Sequence, residues 1–135
     1  MNSTWPKEVA DFEAFLTNAG LVCQRREEQA AFGNKVLQYG NASIAVRLVS
    51  DRGVWYVEVA DAAGRPTDWY DAAILRDLLN GRGDDVLPLR NQIETVEINW
   101  PQIVSGFDPA QSKNTHARLA LLRRERAQRR FPGVY

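Results

Sequence analysis

The sequence predicts an α+β fold: an N-terminal helix, an antiparallel meander sheet of three or four strands, then three helical segments packed mainly on one face of it. Three observations carry that prediction. Apolar residues recur at helical spacing before residue 20, alternate with period two between residues 36 and 60, and return to helical spacing from residue 67 onward. No linker-like tract or internal repeat divides the 135 residues, so residues 1–135 read as one domain. At 44% hydrophobic and 25% charged the chain is too apolar for a disordered protein.

The first helix is expected from about Pro6, a first-turn proline, to Ala19, with Gly20 as its stop. Val9, Phe12, Phe15, Leu16 and Ala19 form its apolar stripe. Strands follow at Val36 to Tyr39, Ser43 to Ser50 and Val54 to Ala60. In the second, Ile44, Val46 and Leu48 alternate with Ala45, Arg47 and Val49; in the third, Trp55, Val57 and Val59 alternate with Val54, Tyr56 and Glu58. Gly40-Asn41 marks a turn between the first two, and Asp51-Arg52-Gly53 marks a hairpin between the last two. Leu21 to Phe32 is a further strand candidate, although Arg25-Arg26-Glu27-Glu28 breaks its apolar pattern. Such a sheet should have one face covered and one partly wet.

From Thr67 the pattern turns helical. Thr67 or Asp68 can cap a helix that runs to about Leu79 and stops at Gly81. Ala72, Ile74, Leu75, Leu78 and Leu79 form its inner stripe, with Trp69, Ala73 and Arg76 turned away. Leu89, Ile93, Val96 and Trp100 share a stripe that Ile103, Val104 and Phe107 continue, which predicts one helix kinked at Pro101. Asp108-Pro109 reads as the cap and first turn of a last helix, to about Arg130.

The residues available for chemistry are few. The chain has one histidine, His116, and one cysteine, Cys23. A nucleophile needs a base within hydrogen-bond reach, and a zinc site needs several Cys or His ligands; neither requirement is met by spacing. Cys23 is expected as a small buried hydrophobe and His116 on a helix surface. Asp84-Asp85 is an adjacent carboxylate pair but lacks the alternating oxygen ligands of a calcium loop, so no metal and no cofactor are expected. Gly81-Arg82-Gly83 leads into those aspartates instead of a Walker lysine, which excludes a phosphate cradle. A hydrolase using Asp84, Asp85 or His116 remains an alternative that requires a concave pocket holding them.

Two features point to contact with another molecule. Net charge is zero, yet residues 1–108 carry 10 Lys/Arg against 16 Asp/Glu, and residues 109–135 carry 7 against 1. Arg123, Arg124, Arg126, Arg129 and Arg130 in the last helix give a nucleic-acid alternative, although they spread around the helix axis instead of gathering on one side. The plainer expectation is that this helix lies along the acidic body, its arginine stems covering apolar surface and its guanidinium groups in water. The acidic body offers Trp69 and Tyr70, facing away from their helix's apolar stripe, and Tyr56 on a strand face with Glu58 and Arg47. Trp, Tyr and Arg dominate interface hot spots because they bury much area at small entropic loss. The expected function is therefore a non-enzymatic protein-binding module, with Trp69, Tyr70, Tyr56, Arg47, Asp84 and Asp85 as candidate contacts. No apolar run approaches the ~20 residues that span a bilayer, no secretory signal opens the chain, and a lone cysteine favours a reducing compartment.

Val46-Arg47-Leu48-Val49-Ser50-Asp51-Arg52-Gly53, Trp69-Tyr70-Asp71, Leu75-Arg76-Asp77-Leu78-Leu79 and Asn99-Trp100-Pro101 give a resemblance as well. From Tyr39 to Phe131 the chain resembles a group of small uncharacterised bacterial proteins, some described as immunity-like partners of polymorphic toxins. The resemblance implies a compact α+β protein of the bacterial cytoplasm that occludes a toxin. It carries over no binding residues.

Overall fold

The computed structural model describes residues 5–28, 34–61, 68–84 and 86–130. Helix α1 (Lys7–Asn18) precedes strands β1 (Val22–Glu28), β2 (Lys35–Gly40), β3 (Ile44–Asp51), β4 (Val54–Asp61) and the two-residue β5 (Tyr70–Asp71). Helices α2 (Ala72–Asn80), α3 (Leu89–Ile98), α4 (Trp100–Gly106) and α5 (Ser112–Arg130) complete the chain. The strands form one antiparallel sheet in the order β1-β2-β3-β4-β5, a plain meander.

Register sorts the side chains onto two faces. Leu37, Leu48 and Val57 lie opposite one another, as do Tyr39, Val46, Val59 and Tyr70. All of these are buried, against Val9, Phe12 and Leu16 of α1, Ile93 and Val96 of α3, and Ile103, Phe107 and Leu119 beyond. One layer of helices therefore covers one face of one sheet. At the β3–β4 turn Asp51 pairs with Val54, and both residues between them have positive φ, 53° at Arg52 and 82° at Gly53. That is the two-residue primed hairpin whose twist matches the strands, and glycine at its second position enters the left-handed region without a Cβ clash. Asn41 closes the β2–β3 turn, its Oδ1 accepting the N–H groups of Ser43 and Ile44.

The structure differs from the sequence expectation at several points. The sheet has a fifth strand, because Tyr70 pairs across from Val59 and buries its ring instead of starting a helix. Asp71, not Asp68, caps α2, its carboxylate accepting the Ile74 N–H at 3.0 Å; Thr67 lies outside the described residues. Ala73 is buried because α2 packs against α3, α5 and the sheet at β4 and β5. The expected kinked helix is two helices, divided at Asn99 one residue before Trp100-Pro101, since Pro101 has no N–H to offer the preceding turn. The Ile103 N–H bonds the Asn99 carbonyl, and Ile103 and Phe107 continue the buried stripe, whereas Val104 turns outward and is exposed. Asp108 caps a turn, its carboxylate accepting the Ala110 N–H, and α5 begins only at Ser112.

Leu21 to Phe32 contains β1, which ends at Glu28; Phe32 lies outside the described residues. Every residue of β1 is exposed, Cys23 included, because this is the sheet edge. Its charges and a bulge between Cys23 and Arg25 discourage pairing with another strand. Among the described residues no helix is long and apolar enough to cross a membrane.

Candidate functional site: the uncovered sheet face

The second face of the sheet carries the side chains that alternate with the core. One row across it runs Glu27, Val36, Val49 and Tyr56; the next runs Arg25, Gln38, Arg47, Glu58 and Asp71. Val36 and Val49 are half-buried, and Tyr56 is 44% exposed. Beyond Tyr56 the exposed side chain of Val54 and the chain between α2 and α3, with exposed Val86, border a small recess of about 110 Å³. The apolar surface therefore continues from mid-sheet to the β4 edge.

The charges of this face are paired with one another. Arg47 Nε donates to Glu58 Oε1 at 2.7 Å across the β3–β4 ladder, and Arg25 donates to Glu27 at 2.7 Å along β1. The Arg25 hydrogen bond holds the Glu27 carboxyl below its ordinary range, and Glu27 in turn raises the Arg25 guanidinium. Arg47 also lies over the Trp69 ring, 4.1 Å from its centroid, a cation–π contact that fixes Trp69 against this face. At the β5 end Arg126 reaches from α5 to Asp71 at 2.8 Å, so the carboxylate that caps α2 also anchors α5.

Tyr56, Arg47 and Trp69 therefore share one surface, as the sequence suggested for the first two. Tyr70 does not belong to it. Only 2% of Tyr70 is exposed; its ring packs in the core beneath the Arg123 guanidinium, 4.4 Å from the centroid. Burial, and then Asp68, push its phenol pKa up, with Arg123 acting the other way. Asp84 is exposed in the α2–α3 connection, where its carbonyl accepts from Arg76. Asp85 lies outside the described residues.

The last helix uses part of its charge internally. Arg123 donates to the Trp69 carbonyl at 2.6 Å, and Arg126 holds Asp71. Arg129 and Arg130 are also engaged, and Arg124 is exposed. The expectation that guanidinium groups would point into water fails at Arg123 and Arg126, because the β5 strand and the α2 cap present oxygen acceptors where α5 crosses them.

A polar cluster missed by sequence reasoning surrounds His116. The Tyr70 hydroxyl meets His116 Nδ1 at 2.9 Å, His116 Nε2 lies 3.7 Å from Asp61 Oδ2, and Ser112 donates to the same carboxylate. His116 is thus half-buried, not a surface residue, with Phe107 edge-on to its ring. The carboxylate stands between serine and histidine, so the imidazole is not placed to take the hydroxyl proton as in an acyl-transfer triad. Ser112 and His116 are four residues apart on α5, a spacing that puts both on one side of a helix, but nothing in the sequence ties that pair to Asp61 and Tyr70. Among the described residues no group of three or more His, Cys, Asp or Glu side chains could hold a metal ion.

The chain matches no protein-family model, no curated protein and no solved structure.

Proposed function

We propose that this chain is a non-enzymatic protein-binding module, and that it docks its partner on the uncovered face of the sheet. The supporting observation is the Val36–Val49–Tyr56 row flanked by charges that neutralise each other, Arg25 with Glu27 and Arg47 with Glu58. An apolar row with tied-down, mutually compensating charges suits a protein surface of mixed polarity, because it offers area to bury without an excess charge to desolvate. It gives a polyanion nothing to attract it. The basic helix does not favour nucleic acid either, since Arg123 and Arg126 would have to leave Trp69 and Asp71 to meet phosphates. A hydrolase built on Asp84 and His116 gains no support, as His116 is packed among Tyr70, Asp61 and Phe107 while Asp84 sits by Arg76.

A stable complex needs about 800 Å² from this side, so the partner should reach past the two rows and Trp69 to the exposed Val54 and Val86 beside Tyr56. The resemblance to immunity-like proteins makes a cytoplasmic toxin encoded beside this gene the first partner to test. Binding of the purified chain to the products of adjacent genes should give a one-to-one complex that Tyr56→Ala and Val49→Asp each weaken at least tenfold. No stable complex, or one indifferent to both substitutions, would count against the proposal.

A further inference from the structure

We infer that a groove between α2, α4 and α5, remote from the sheet rows in its residues, is a binding site for a small amphipathic anion: an aliphatic body carrying one carboxylate. The groove holds about 520 Å³, within the range of small-ligand sites. Its apolar lining is Leu75, Leu78 and Leu79 of α2 with Ile103 and Phe107. Leu75, Ile103 and Phe107 are buried core residues, so that part of the lining is rigid; Leu78 and Leu79 are half-buried and form the accessible wall.

The rim carries the charge argument. Asn114, Thr115 and Arg118 follow one another at helical spacing, so α5 turns one side to the groove, with Gln111 just before the helix. Among the described residues Arg118 is the one charged side chain lining it, and no carboxylate does. Arg118 is exposed and makes no ion pair with any described residue, in contrast to Arg123 and Arg126 on the same helix. The carbonyl of Gly106, a residue lining the groove, accepts the Thr115 hydroxyl at 2.6 Å. Asn114 and Gln111 add amide donors at the beginning of α5, where the helix dipole also favours negative charge. An apolar lining with one uncompensated cation and neutral donors at its rim matches a monoanion with an alkyl body. It does not match a sugar phosphate, which would leave its hydroxyls on leucine, or an alkyl cation, which Arg118 would repel.

The test is calorimetric titration of the full chain with octanoate, decanoate and dodecanoate below their micelle concentrations, beside decanol and decyltrimethylammonium. Decanoate should bind. Affinity should rise about fourfold per methylene, the fold-change equivalent to ~0.8 kcal/mol for each buried CH₂. Arg118→Gln should weaken decanoate at least tenfold, while Arg124→Gln, on the same helix but outside the groove, should leave it unchanged. Ser105→Trp, or Gln102→Trp if that variant does not fold, should fill the groove and abolish binding. The inference is overturned if the carboxylates do not bind, if Arg118→Gln behaves as Arg124→Gln does, or if the ammonium compound binds as well as decanoate. None of these readouts involves Tyr56 or Val49, so the outcome is independent of the protein-partner proposal.

Discussion

The side chain of Gln92 takes the place of a neighbouring strand beside Val57. Its Oε1 accepts the Val57 N–H at 2.7 Å, and its Nε2 donates at 2.9 Å to the Trp55 carbonyl and at 2.9 Å to the Leu87 carbonyl. β5 pairs only with Glu58 and Val59 of β4, which leaves the earlier part of that strand as an edge. A single amide projected from α3 satisfies this edge and ties the sheet, the α2–α3 connection and α3 together. Donor and acceptor are both needed, which is why a glutamine stands here.

Gln92→Leu should accordingly cost far more than its change in polarity suggests. It strands the buried Val57 N–H, which costs about 1–3 kcal/mol, and leaves two part-buried carbonyls without their donor. Gln92→Glu keeps the acceptor but sets a carboxylate against the Trp55 and Leu87 carbonyls, so it too should destabilise at neutral pH and recover in acid as the carboxyl regains a proton to donate. Urea unfolding at pH 7 and pH 4 measures both. A Gln92→Leu variant with the midpoint of the parent chain would refute the edge-closing role.

Asp71 serves two helices at once, and a double-mutant cycle with Arg126 separates the services. Asp71→Ala removes the cap of α2 as well as the ion pair and should cost about 1–2 kcal/mol, typical of a lost cap. Arg126→Ala removes only the pair, partly buried on both sides, and should cost less. The coupling energy of the cycle should fall near ~1 kcal/mol, because the residues are in direct contact. Strict additivity of the two substitutions would mean that the contact contributes nothing.

How far these features could be foreseen varies with the kind of signal. The β3–β4 hairpin was legible because strict alternation meets a two-residue Arg52-Gly53 turn, and both signals are local. β1 was only half legible: as an edge strand exposed along its whole length, it has no apolar alternation to display. β5 is two residues long and has no period, so helical spacing from Trp69 to Leu79 looked continuous when Tyr70 belongs to the sheet. Asp71 won the competition among neighbouring cap residues because only the structure decides where the strand ends. The His116 cluster was illegible for a different reason. Its members come from β4, β5 and α5, and only tertiary packing brings them together.

The bond from Tyr70 to His116 can be tested without disturbing the core. Tyr70→Phe keeps the ring beneath Arg123 and removes only the hydroxyl that His116 Nδ1 meets. Stability should fall by about 1 kcal/mol, the net value of one such hydrogen bond. Amide hydrogen exchange should quicken first in the Ser112–Arg130 helix. If exchange quickens elsewhere and α5 is unchanged, the cluster does not hold that helix to the sheet.

Binding losses at the uncovered face should be separable from folding losses. Tyr56 is substantially exposed, so Tyr56→Ala should move stability by no more than ~0.5 kcal/mol. Trp69→Ala should cost somewhat more, about 0.5–1 kcal/mol above that, because Arg47 loses the ring it lies over. Thermal melts of the free protein give these values, and a Tyr56→Ala variant that unfolds readily would show that residue to be structural.

Glu97 supplies the clearest dependence on pH. It lies in the last turn of α3, where no basic residue answers the helix dipole. Burial first, then Glu94 and Asp11, raise its carboxyl pKa. A folded-state value above the unfolded one means that protonated Glu97 favours the fold. This contribution is fully present below the unfolded value of ~4.3 and is lost as pH rises through the folded one. Glu97→Gln should therefore stabilise the protein at pH 7, by roughly 0.3–1 kcal/mol for a charge removed from a helix C-terminus. At pH 3.5, where the native carboxyl is already protonated, variant and parent should melt together. A gain of equal size at both pH values would place its cause outside this charge, in the packing of the substituted amide alone.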